Sequence, residues 1–296
     1  MIIQKILGFL LTALLFISCN ENQSDNALEI KLEKLIASSG AEVGISVMHS
    51  GSNKVVSIKG DTLFPMLSTV KIPVALAVLN KVEKEGLSKD QELFISSEEL
   101  LEHTWSPFRE EFPNGNVAIS LEEALAWMVM QSDNNITDVL IRWVGGEEYI
   151  EEFIANKNFI IRNNEEDMHR DWESQFKNKA SPNAFSNLVK TFSEGRILNK
   201  ENTEWLYQSM VNSTTGLKRI KGKLPDVEIA QRAGTSFTSE EGITGAINNI
   251  GIIQLPDHQK IYLSVFIHNI QGFEKGEDLI ADIAKMVYEH YSSTEN

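Results

Sequence analysis

The chain is expected to fold as an α+β protein, with one antiparallel five-stranded sheet flanked by helices and an all-helical lobe inserted into it. Three observations predict this. Alternating, β-branched segments lie at both ends of the chain, capped helix-period segments fill its middle, and amphipathic helical patterns open and close the folded part. The 296 residues are 42% hydrophobic and 23% charged, which suits a soluble chain with a large core.

Each element has a local cause. Ala27 to Ala37 carries Leu28, Ile30, Leu32, Leu35 and Ile36 on a helical stripe, and Ser38-Ser39-Gly40 ends it. Val43 to Met48 alternates, and Gly51 and Ser52 turn the chain back into Lys54 to Ile58, making a hairpin. Ser120 and Glu123 form a capping box that opens a helix through Met130. Ser181-Pro182 is an N-cap followed by a first-turn proline, and the helix it opens stops at Gly195. Glu147 to Lys157 and Glu201 to Met210 also read as helices. Three strands follow, at Glu228 to Ala233, Gly245 to Leu255 and Lys260 to His268, and Glu274 to Tyr291 closes the chain as a helix. The hairpin and these three strands supply the five strands. The sheet lobe is therefore expected over about 28–62 and 214–296, with the helical lobe over about 63–213.

The N-terminus is a separate unit. Met1 to Lys5 carries one positive charge, Ile6 to Ile17 is almost wholly apolar, and Ser18-Cys19 follows. That is the layout of a secretory signal over residues 1–18, with an apolar run too short to span a membrane well. Cys19, the only cysteine, stands where a bacterial lipoprotein signal has its lipidated residue; ordinary cleavage nearby is the other reading. Residues 19–27 read as a polar tether. The expected location is across the inner membrane, in the periplasm, with a lipid anchor as the only membrane contact if Cys19 is lipidated. The formal net charge of -15 repels phosphate backbones, so no nucleic-acid partner is expected.

Three short motifs carry chemistry. Ser68-Thr69-Val70-Lys71 puts a hydroxyl and an amine on one helix face. A serine needs a base before it attacks, and a partly desolvated lysine beside it can serve. By itself the motif is weak, because a capping serine reads the same way. Pro73, inside the presumed helix, looks like a broken rule of the kind that marks functional sites. Ser132-Asp133-Asn134 follows the helix opened by Ser120 and also fits a plain cap and turn. Arg232-Ala233-Gly234-Thr235-Ser236 ends a strand, where an exposed Arg is the plain reading.

Together, in this order, S-x-x-K, S-D-N and a basic-x-Gly strand resemble the penicillin-recognising serine enzymes, and the class A β-lactamases in particular, from about residue 28 to the C-terminus. Asn163 to His169 resembles the omega loop of an extended-spectrum subgroup with Glu, three residues, then His. The resemblance implies a β-lactamase/transpeptidase-like fold and hydrolysis of the β-lactam amide through an acyl-enzyme, conferring antibiotic resistance. Ser68, Lys71, Ser132 and Glu165 would be catalytic, with Glu166 the second choice for the deacylating base. Trp105, Asn134, His169, Arg232, Gly234, Thr235 and Ser236 would bind substrate, with the substrate carboxylate on Arg232 and Thr235. Asp138 would have a structural role. Either Lys71 or Glu165 would take the Ser68 proton. The family usually has Lys-Thr-Gly at the third motif, and here Arg232-Ala233-Gly234 stands there. That puts substrate range and rate in question, since Arg is larger and planar and Ala233 lacks a hydroxyl.

No cofactor is implied and the chain is expected to be a monomer. A metal cluster of Glu165, Asp167, His169 and Asp171 is the competing reading of the loop, although its spacing fits neither a calcium loop nor a catalytic zinc site. The alternatives in function are a D-Ala-D-Ala carboxypeptidase or transpeptidase, which would lack the omega-loop base, and a catalytically weak penicillin-binding module.

Overall fold

A computed structural model describes residues 25–52 and 54–293. The expected signal, most of the tether and Cys19 lie outside the described residues. The first helix, α1 (25–36), takes in residues 25–27, which were expected to belong to the tether. The Tyr291 hydroxyl donates to the Asp25 carboxylate at 3.4 Å, so this helix start is tied to the C-terminal helix.

The hairpin strands are β1 (Glu42–His49) and β2 (Val55–Ile58). A two-residue strand β3 (Phe64–Pro65) leads into a 3₁₀ turn at Leu67–Val70 and then helix α2 (Lys71–Glu85). The helical middle holds a β4 (Glu92–Ile95) and β5 (Val117–Ser120) ribbon with α3 (Pro107–Glu111) between them, then α4 (Leu121–Gln131), α5 (Asn134–Val144) and α6 (Glu147–Ile154). Strands β6 (Phe159–Ile160) and β7 (Lys179–Ala180) bracket the short α7 (Glu165–Met168). Helices α8 (Pro182–Ser193) and α9 (Lys200–Val211) follow, then β8 (Ile229–Thr235), β9 (Ile243–Gln254), β10 (Lys260–Gln271) and α10 (Phe273–Ser292).

The main sheet is antiparallel, five-stranded, in the order β2-β1-β10-β9-β8. Its strands come from both ends of the chain, so the expected α+β fold is what the chain adopts. Both faces of the sheet are buried, and the pleat sorts β10 between them. Ile261, Leu263, Val265 and Ile267 pack toward α1 and α10, with Leu28, Leu32, Ile280, Ile283 and Val287. Tyr262 and Phe266 join the larger core beneath α2, α4, α5 and α8. Each such aliphatic side chain, fully buried, contributes about 1.5–3 kcal/mol.

Local details depart from expectation in two places. The helix expected over Glu147 to Lys157 stops at Ile154, because Ala155 turns left-handed at φ 49°. Pro73 is the third residue of α2, within the first turn, where a backbone N–H has no intrahelical partner to lose. It therefore breaks no rule, and the inference drawn from it falls.

Candidate active site

The cleft lies where the end of β8 meets the N-terminus of α2, the turn between α4 and α5, and the segment around α7. It encloses a cavity of about 550 Å³ lined in part by Ser68, Ser132, Asn134, Glu165, Thr235 and Ser236. Leu67, just before the nucleophile candidate, is left-handed at φ 47°, a conformation uncommon outside glycine. The surrounding structure holds it there. The Thr69 hydroxyl donates to the Met66 carbonyl at 2.7 Å, and the Asn248 amide donates to the carbonyls of Pro65 (2.7 Å) and Met66 (3.1 Å). Gly234 passes so close that an added Cβ would lie 2.6 Å from the Met66 oxygen and 3.2 Å from the Ser68 nitrogen. Gly234 is thus needed for the approach of β8.

Ser132 is the left-handed C-cap of α4 at φ 63°, and Asp133 is the N-cap of α5. The bland reading of this motif is therefore true of its backbone, and its side chains reach the cleft as well. The Asp133 carboxylate accepts from the N–H groups of Ile136 and Phe108 and from the Ser106 hydroxyl, which fixes the turn.

Lys71 is fully buried. Its Nζ lies 2.9 Å from Ser68 Oγ, 2.8 Å from Glu165 Oε1, 3.3 Å from Ser132 Oγ and 3.2 Å from the Ser132 carbonyl, and it also donates to Asn134 Oδ1. These are five acceptors for the three hydrogens of an ammonium, so they compete. Burial pushes the Lys71 amine below its ordinary range, Glu165 opposes that, and Arg232 adds to it.

Glu165 is buried at the start of α7, which is N-capped by Asn164. Its own N–H and that of Glu166 both donate to the Asp138 carboxylate, at 2.7 and 3.0 Å. Desolvation, then the nearby Glu165, pushes the Asp138 carboxyl up to about 7. His169 sits between Glu165 and Thr104: its Nδ1 is 2.6 Å from the Glu165 carbonyl and its Nε2 is 3.3 Å from Thr104 Oγ1. Glu166 faces the other way, into a separate cavity with Asp138 and Arg142. Among the described residues, no group of three or more His, Cys, Asp or Glu side chains converges as metal ligands, and no helix is long and apolar enough to cross a membrane.

The third motif departs from both readings of Arg232. The side chain is not exposed at a strand end, and it does not line the cavity. It is fully buried and spends its donors on the protein: Nε on the Ser68 carbonyl (3.1 Å), Nη1 on the Val129 carbonyl (3.1 Å) and Nη2 on Ser132 Oγ. A guanidinium stays charged even when burial lowers its pKa, so Arg232 acts as a fixed cation behind Ser132. Sequence reasoning overlooked a second buried arginine, Arg219. Its Nη2 donates to Thr235 Oγ1 at 2.6 Å, Nη1 to the Gly234 and Asn248 carbonyls, and Nε faces Glu277 at 3.3 Å. Thr235 is exposed to the cavity with this charge directly behind it.

β8 is an edge strand, paired on one side only. Because the Ser236 N–H donates to Ala246 on β9, strand alternation turns the Thr235 N–H outward, to the side where Ser68 lies. Trp105 and Phe237 form exposed aromatic rims on the cavity, at 57% and 52% exposure, and the Trp105 indole donates to the Gln131 carbonyl at 3.0 Å.

A serine, a buried lysine, a second serine and a carboxylate converging on one cavity is an arrangement for acyl transfer. The family model described as "Beta-lactamase enzyme family" matches residues 27–291. The chain belongs to that family.

It is a class A serine β-lactamase, an enzyme that hydrolyses the β-lactam amide bond and so confers antibiotic resistance. It is 36% identical to the β-lactamase VEB-1 of Pseudomonas aeruginosa, covering 98% of each chain. It is 33% identical to a β-lactamase of Bacteroides uniformis, covering 90% of this chain and 92% of that one. The crystal structure of the TLA-1 extended-spectrum β-lactamase superposes with a TM-score of 0.89 at 38% identity, covering 91% of this chain and 99% of that one. Enzymes of this class are typically periplasmic or secreted.

Proposed function

We propose that this β-lactamase works through Ser68 as nucleophile and Glu165 as deacylating base, with Lys71 shared between them. The single observation that carries the reading is the position of Lys71 Nζ, 2.9 Å from Ser68 Oγ and 2.8 Å from Glu165 Oε1. The lactam carbonyl oxygen enters a hole made by the N–H groups of Ser68 and Thr235. Lys71, or Glu165 through a water, takes the Ser68 proton. Ser68 Oγ attacks, the ring C–N bond breaks, and Ser132 gives a proton to the departing nitrogen. Asn134 holds Lys71 through Oδ1 and offers an amide hydrogen to the substrate's side-chain carbonyl. Glu165 then deprotonates a water that frees the acyl group.

The substrate carboxylate meets Thr235 and Ser236, with Arg219 behind Thr235 supplying the charge. Arg232 instead holds the Ser132 hydroxyl in place. Trp105 and Phe237 line the cavity as exposed aromatic rims that would contact an acyl side chain, in keeping with an extended-spectrum substrate range. Residues 1–18 act as an export signal to the periplasm, Cys19 is the lipidation site and the only membrane attachment, residues 28–296 form the catalytic domain, and the enzyme is a monomer. Steady hydrolysis of a chromogenic cephalosporin over many turnovers, abolished in Ser68→Ala, tests the reading. A single stoichiometric burst without turnover would favour the carboxypeptidase alternative.

A further inference from the structure

His169 and Thr104 both line the cavity, one just after α7 and one in the segment before α3, and a closed ring of hydrogen bonds runs through them. Lys71 Nζ donates to Asn134 Oδ1, and Asn134 Nδ2 donates to Thr104 Oγ1 at 2.7 Å. Thr104 Oγ1 meets His169 Nε2 at 3.3 Å, and His169 Nδ1 meets the Glu165 carbonyl at 2.6 Å. The Glu165 side chain returns to Lys71 at 2.8 Å.

Donor logic fixes the direction of the links to the carbonyl and to the Asn134 amide. A carbonyl oxygen only accepts, so His169 Nδ1 carries the hydrogen. In the neutral ring Nε2 is then an acceptor, and the hydrogen on it must come from the Thr104 hydroxyl. That hydroxyl in turn accepts from Asn134. Both ring nitrogens of His169 are thereby committed to the protein, and the edge-on contact with Phe237, 5.3 Å between ring centroids, holds the ring plane.

We propose that Thr104 and His169 form a latch across the cleft that positions the Glu165 segment for deacylation. His169 is a positioning residue here: it holds the backbone of the base and offers no nitrogen to the attacking water. Thr104 is its partner, a residue that no sequence motif marked. The latch joins the wall before α3 to the short helix α7, which otherwise hangs on side-chain hydrogen bonds such as those of Asp138. Its consequence is selective. Opening it displaces Glu165 while Ser68, Ser132 and Arg232 keep their own supports and Lys71 stays beside Ser68 to take its proton, so deacylation suffers more than acylation. The catalytic part of this inference rests on Glu165 being the base.

The test compares Thr104→Val, Thr104→Ser, His169→Ala and the double variant Thr104→Val/His169→Ala. Acylation and deacylation of a penicillin are timed separately by rapid quench and intact-protein mass spectrometry. Thr104→Val is expected to acylate within about twofold of the native enzyme and to deacylate about tenfold more slowly, the scale of one lost hydrogen bond. Thr104→Ser, which keeps the hydroxyl, restores deacylation. The double variant is no slower than the slower single variant, since one broken link opens the ring. Native deacylation in Thr104→Val, failure of Thr104→Ser to rescue, or losses that multiply in the double variant would each overturn the latch. Hydrogen exchange separates this from the choice of base. The latch requires faster amide exchange over residues 163–170 in Thr104→Val whichever carboxylate activates water, and unchanged exchange there rejects it. Rapid turnover by Glu165→Gln with exchange accelerated in Thr104→Val would reject the base and keep the latch.

Discussion

The two sides of the cleft are held in different ways. On the nucleophile side, regular elements do the holding: Ser68 sits in the 3₁₀ turn that leads into α2, β8 runs alongside, and Gly234 brings the strand against the Met66–Thr69 backbone. Arg232 and Asn248 then tie β8 and β9 to that turn. On the base side, α7 is four residues long and its surroundings are stitched by side chains. Asp138 holds the N–H groups of Glu165 and Glu166, and Asn178 accepts from Arg162 and Asn163 and donates to the Asn163 carbonyl. Asn163 in turn donates to the Ser174 carbonyl at 2.9 Å. Ladder hydrogen bonds are many and shared, whereas a side-chain stitch is a single residue. Substitutions far from the chemistry should therefore detune deacylation much more readily than acylation.

The largest effect expected tests whether both sides depend on one cation. Lys71→Ala should lower the acylation rate by at least about 10³-fold, because the nucleophile loses its activating partner. It should also destabilise the fold by about 3–5 kcal/mol, since Glu165 is left buried without its ion pair. Rapid-quench acylation and thermal melting check the two halves separately.

Arg232→Ala sharpens the contrast on the nucleophile side. With its donors spent on Ser68, Val129 and Ser132, the residue should be felt in kcat, by about 10²-fold through loss of Ser132 positioning, more than in KM. A rise in KM alone would mean that Arg232 meets the substrate carboxylate after all. Arg219→Ala should show the opposite split, with KM rising for substrates that carry a carboxylate.

On the base side, Asp138→Ala leaves the buried Glu165 N–H and the part-buried Glu166 N–H without their acceptor and should cost about 2–3 kcal/mol, concentrated in residues 163–170 by hydrogen exchange. Asp138 also gives the loop a pH dependence. Its carboxyl is raised from the ordinary 3.8 to about 7, so the folded state binds the proton more tightly than the unfolded chain does. Its contribution to stability is then present at low pH and is lost as pH rises between about 4 and 7. Asp138→Asn should flatten that part of the stability curve; an unchanged curve would place the titration elsewhere. The smallest effect is expected from Gly234→Ala, where overpacking against the Met66 carbonyl should cost about 1–3 kcal/mol and slow acylation without affecting deacylation.

The same contrast explains what could be read from the sequence. Motif residues on α2, on the α4–α5 turn and on β8 were legible because short spacings on regular elements fix direction: Lys71 follows Ser68 by one helical turn, and the Ser120 capping box sets where Ser132 falls. The five strands were legible from alternation. Arg219 was not, since a basic residue in an irregular stretch points at the cleft only after β8, β9 and α10 have packed around it. Thr104 was missed for the same reason, because only the fold brings it to His169. Arg232 was placed on the right strand, but its burial could not be seen there: strand period gives the face, and the depth depends on the helices above. Ala155 shows the limit for boundaries, as nothing in its type announces a left-handed residue.

Intact-protein mass spectrometry of Glu165→Gln after mixing with a penicillin addresses the central claim, that one cavity holds a serine nucleophile and a separate deacylating carboxylate. The expected result is full conversion to an adduct of one substrate mass, mapped by peptide analysis to Ser68 and persisting for hours. Return to the free mass at the native rate, or an adduct on any other residue, would contradict it.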